Sequence, residues 1–127
     1  MQLKKDLKSK ITLISDDELY KESEQFIADH GTLSKTQIEG LKNIVNTFTY
    51  TNDVLNFIKK QASKKRVYED FFKALELKIM DLKKRIKKHE LLAEVSINKK
   101  DYELVEMTLI RELILHLVAE NIYRESY

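Results

Sequence analysis

The sequence predicts an all-α protein, a single-domain bundle of four or five helices around a central hydrophobic C-terminal helix. Three observations predict it. The chain has no Pro and only two Gly in 127 residues, so helix-breaking residues are almost missing. Apolar side chains recur at spacings of three and four, the period of one helical face. The stretch 104–119, LVEMTLIRELILHLVA, carries apolar residues around nearly its whole circumference, so such a helix needs neighbours on most sides. Glu106, Arg111, Glu112 and His116 interrupt it, and it falls short of the ~20 apolar residues a bilayer crossing needs. It is therefore the buried axis of a bundle.

An apolar content of 43% fills one core, and the division expected is a basic extension or short helix over 1–14 followed by a bundle domain over 15–127. In the extension Leu3, Leu7, Ile11 and Ile14 recur at spacings of four and three, flanked by Lys4, Lys5, Lys8 and Lys10. It lacks the continuous apolar run and small-residue cleavage site of a secretory signal, which implies a cytoplasmic chain. Ser15 then reads as the N-cap of a helix, with Glu18 closing a capping box and Ile14 stapling to Leu19. That helix should end at Gly31 in a left-handed conformation.

The same grammar repeats at Ser34 and Gln37, with Leu33 stapling to Ile38, so a second helix starts there. Gly40 inside it suggests that another backbone passes close by. The β-branched and turn-forming run Thr47–Asp53 ends it, and helix resumes near Asp53 and extends to about Lys65. Beyond it Tyr68, Phe72, Leu75, Ile79, Leu82, Ile86, His89 and Ala93 alternate spacings of four and three, the seam of a long packed helix. Asn98 caps the last helix, about Lys99 to Arg124, after a turn short enough to make the final two helices antiparallel neighbours.

No phosphate loop, metalloprotease motif, calcium-binding loop or nucleophile elbow is present. There is no Cys, which removes disulfides and thiolate sites, and the three His are scattered, so no metal or cofactor is expected. Arg111 and His116 match the spacing of the HEPN ribonucleases, in which Arg would stabilise phosphorane charge and His would move a proton. Five positions are about 500° of helix, however, so the two side chains diverge by ~140° on a straight helix.

The net charge is only +2, but it is unevenly distributed: residues 16–29 are acidic, 59–88 strongly basic, and the last quarter acidic again. Lys59, Lys60, Lys64, Lys65 and Arg66, then Lys83, Lys84, Arg85, Lys87 and Lys88, form the candidate RNA-binding set. With Ile79, Leu82 and Ile86 facing inward, residues 83, 84, 87 and 88 can project outward together as a cationic ridge for phosphates. With nineteen Lys against four Arg, the same residues can also be an ordinary solvated surface.

The series Tyr20, Phe26-Ile27, Leu33-Ser34-Lys35-Thr36-Gln37-Ile38, Leu41 and Val45-Asn46 resembles the N-terminal half of the small subunit of Csm-type (type III-A) CRISPR effector complexes. The helix start at Asp101-Tyr102 and the apolar last helix containing Glu112 are similar in layout to its C-terminal half. Glu39 stands where that family usually has a basic residue, and Met80-Asp81-Leu82-Lys83-Lys84 replaces its mid-chain aromatic-small-Gly-Arg element. The resemblance implies a non-catalytic structural subunit, repeated head to tail along a guide–target RNA duplex beside other effector subunits and contacting phosphates without reading bases. Acidic first and last helices would then dock on the basic middle of the next copy. The alternatives are a helical protein–protein interaction module with no nucleic-acid role, and the HEPN-like ribonuclease using Arg111 and His116.

Overall fold

The computed structural model describes residues 5–64, 66–87 and 98–126, with Lys99 and Lys100 by backbone alone. The chain runs as α1 (Lys5–Leu13), a π-helical segment (Ile14–Leu19), α2 (Tyr20–His30), α3 (Lys35–Thr47), α4 (Thr51–Lys64), a 3₁₀ turn (Arg66–Tyr68), α5 (Glu69–Lys87) and α6 (Lys99–Ser126). Because α1, the π segment and α2 are continuous, the described residues make five helical rods and no strand. This is the all-α single-domain bundle the sequence predicts.

The axis is α6, which packs against α2, α3, α4, α5 and the π segment. Val105, Leu109, Ile110, Leu113, Ile114 and Leu117 are essentially inaccessible to solvent. At about 1.5–3 kcal/mol for each fully buried Leu, Ile or Val, this one helix supplies a large share of the driving force for folding. Its apolar circumference is not closed all round, since Leu115 is 42% exposed and Ala119 is also exposed. Around it, α4 and α5 form the most extensively packed pair. The predicted seam is buried at Phe72, Leu75, Ile79, Leu82 and Ile86, with Tyr68 half-buried, while His89 and Ala93 lie outside the described residues. The turn expected between α5 and α6 lies outside them too, apart from Asn98.

Two predicted helix starts are present. Ser34 Oγ accepts from the Gln37 N–H at 3.4 Å, and Asn98 Oδ1 accepts from the Asp101 N–H at 2.9 Å. The third is not. The backbone stays helical through Leu13, no side chain caps there, and Ser15 lies inside the π segment, buried, with its hydroxyl turned toward α6. A buried Ser in a continuous helix carries the same local signature as an N-cap, and only its distant partners separate the two cases. The wider π turn brings Ile14, Ser15 and Leu19 inward together. Leu7 and Ile11 join the same core.

At the end of α2, Gly31 takes φ 82° and ψ −174°, and its N–H donates to the Ile27 carbonyl at 2.8 Å. The positive φ matches expectation, but ψ is extended, a combination only Gly adopts cheaply. Gly40 has no backbone against it: a Cβ there would meet the Phe57 ring at 3.8 Å, an ordinary contact.

Candidate nucleic-acid interface

The basic set falls on the α4–α5 pair. Lys59, Lys60 and Lys64 occupy the last two turns of α4, Arg66 follows in the 3₁₀ turn, and all four are exposed. Lys84 and Lys87 are exposed in the last turn of α5, where Lys83 is half-buried. Lys65 and Lys88 lie outside the described residues. Among the described residues, Lys59, Lys60, Lys64, Arg66, Lys83, Lys84 and Lys87 form no ion pair with a carboxylate.

The set is divided along the pair. The chain reverses between α4 and α5, so the end of α4 adjoins the start of α5 while Lys83, Lys84 and Lys87 sit at the far end of the pair. At 1.5 Å per residue the 19 residues of α5 span about 28 Å, and with Lys59 and Lys60 set back from the end of α4 the surface carries two cationic groups whose centres are about 20 Å apart. Two patches at that separation suit a polyanion lying along the pair better than a small anion.

Arg85 stands apart from the set because it is ion-paired. Its Nη1 lies 2.7 Å from Glu22 Oε1 on α2 and 3.7 Å from Asp81 Oδ2, and its Nη2 lies 3.6 Å from Glu18 Oε2. Lys78, seven residues earlier on the same flank of α5, also bonds Glu22. One residue along a helix turns the side chain by about 100°, which separates Arg85, facing α2, from Lys84, facing solvent. Arg85 is therefore a structural clamp between α2 and α5. Burial alone would raise the Glu22 pKa, but the hydrogen bonds and positive charges of Arg85 and Lys78 outweigh it and hold the carboxyl below its ordinary value of about 4.5. A depressed carboxyl pKa gives stability that is present above the ordinary value and lost as pH falls through the folded one. Glu22→Gln should therefore cost about 1–2 kcal/mol at pH 7, discounted for partial exposure, and should flatten the acid limb of the stability profile. Denaturant unfolding between pH 3 and 7 checks both.

Arg111 and His116 turn to different elements. Arg111 Nε donates to the Val45 carbonyl at 3.0 Å and its Nη2 to the Phe48 carbonyl at 3.5 Å, so it caps the C-terminus of α3. His116 instead turns to the π segment, with Nε2 at 2.9 Å from Ser15 Oγ and the Tyr20 ring edge-on at 5.8 Å. Ser15 Oγ also lies 3.1 Å from Glu112 Oε2, so the hydroxyl bridges the carboxylate and the imidazole. The sequence offered no local sign of this cluster, because Glu112 and His116 lie 97 and 101 residues from Ser15.

Among the described residues no group of three or more His, Asp or Glu could hold a metal ion, and no helix is long and apolar enough to cross a membrane. Comparison with protein-family models, with curated proteins and with solved structures finds no match to this chain.

Proposed function

We propose that the chain is a non-catalytic, RNA-backbone-binding structural subunit, in the role that its resemblance to the Csm-type small subunit implies. In that role copies stack along a guide–target duplex in a cytoplasmic type III CRISPR ribonucleoprotein, and other subunits carry out cleavage. The observation that carries the reading is the set of exposed cations on α4, the 3₁₀ turn and α5 that no described carboxylate neutralises: Lys59, Lys60, Lys64, Arg66, Lys84 and Lys87. An ammonium on a flexible stem is a point charge that meets phosphates without fixing base identity. Exposed Asp16 and Asp17 give the π segment an acidic surface suited to the basic pair of a neighbouring copy.

The interaction-module reading draws on a different surface, the stripe of Leu115, Ala119 and Ile122 at four- and three-residue spacing on the outer face of α6. The ribonuclease reading gains nothing from the geometry, because Arg111 and His116 serve different elements.

The experiment is binding of labelled single-stranded and duplex RNA of random sequence at 50–200 mM salt. Six phosphate contacts predict a slope of log affinity against log salt of about −4 to −5, a loss on the order of a thousandfold over that range. No binding at 50 mM salt overturns the RNA reading and leaves the interaction module.

A further inference from the structure

Where the α3–α4 connection, the end of α5 and the start of α6 meet, they enclose an open cleft of about 460 Å³. Its walls include Tyr50, Asn52, Lys83, Tyr102, Glu103 and Glu106. Tyr50 stands in the short connection between α3 and α4, 63% exposed. Its carbonyl accepts from the Asp53 N–H at 3.1 Å, which fixes the backbone that presents the ring. A phenol held out to solvent on a tethered turn is a stacking surface with little ordering entropy left to lose.

The cleft carries side chains of both charges. Here Lys83 pairs with neither Glu103 nor Glu106, although all three line the same depression. The cleft thus offers an ammonium and two carboxylates that are not ion-paired with one another, beside a flat ring. A fitting ligand carries an anion, paired N–H donors and a planar face in one unit.

We propose that the cleft takes one unstacked guanine nucleotide of the bound RNA, its base on Tyr50, its phosphate on Lys83 and its N1–H and N2–H donors on the half-buried Glu106 carboxylate. Among the four bases only guanine sets two adjacent donors on its Watson–Crick edge against a carboxylate. Adenine and cytosine offer one amino group beside an acceptor, and uracil offers one N–H flanked by two carbonyl oxygens. This inference rests on the RNA reading above and adds a base preference to it, so a subunit that otherwise meets only phosphates would mark one nucleotide.

The test measures binding of the full chain to hexauridine and to the same hexamer carrying one central G, I or A, for the wild type and for Tyr50→Ala and Glu106→Gln. The expected result is that the single G tightens binding by about 5- to 100-fold over hexauridine, inosine by less because it lacks the N2 amino group, and A least. Glu106→Gln should abolish the preference for G while retaining salt-dependent binding, and Tyr50→Ala should weaken the G-containing hexamer without changing the melting temperature. Salt-dependent binding with no preference for G overturns the guanine inference and leaves the RNA reading intact. No binding of any hexamer or of longer RNA by the wild type overturns both.

Discussion

Reversing Lys59, Lys60, Lys64 and Lys84 to Glu should weaken RNA binding by at least a thousandfold at 100 mM salt. Each phosphate contact releases about 0.7–0.9 of a counterion, worth about 1 kcal/mol at that concentration, so four losses remove about 4 kcal/mol before any repulsion is added. The residual salt slope should fall in magnitude by about three to four. All four side chains are exposed and none is ion-paired with a described residue, so the melting temperature should change little. The matched control reverses Lys42 and Lys73, which pair with Glu39 and Glu69, and it should leave RNA affinity within a few fold. Anisotropy titrations with thermal unfolding of the same samples check the prediction.

The largest effect on stability should come from Asn121→Leu. Asn121 is buried on α6, its Oδ1 accepts from the Leu33 N–H at 2.7 Å, and its Nδ2 donates to the Leu33 carbonyl at 3.1 Å. One amide therefore satisfies both backbone groups of the residue that leads into α3, and Leu33 itself is in the core. Leucine matches the size but can make neither bond, leaving two buried backbone groups unpaired at about 1–3 kcal/mol each. A loss of about 2–5 kcal/mol is a large fraction of the 5–15 kcal/mol typical of a domain. Urea unfolding of the variant should show a lower midpoint with an unchanged slope. Because the connection between α2 and α3 is held this way, amide exchange at Leu33 should also accelerate.

What was legible in the sequence follows the range of the interaction concerned. Ser34 with Gln37, and Asn98 with Asp101, act within one turn, and their caps form as predicted. The seam from Phe72 to Ile86 is periodic enough to fix the buried face of α5 without knowing what covers it. Ser15 shows the opposite case: its sequence neighbours make a capping box, but Glu112 and His116 compete for the hydroxyl from the far end of the chain, and the helix runs on. Arg85 stood inside a run of cations, yet its direction depends on Glu22, 63 residues away on another rod. The cleft was illegible because Tyr50, Lys83 and Glu106 come from three separate segments. The basic set could be seen, while its division into two patches needed the chain reversal between α4 and α5.

The central claim is that α6 is wrapped so as to leave the lysines of α4 and α5 facing water, where they hold an RNA backbone. Its most direct test is lysine acetylation with and without saturating duplex RNA, read residue by residue by mass spectrometry. Lys59, Lys60, Lys64, Lys84 and Lys87 should be labelled in the free protein and protected by RNA, while Lys8, Lys21 and Lys35, exposed on other helices, should be labelled equally in both. Protection confined to lysines outside α4 and α5, or uniform labelling with RNA bound, would contradict it.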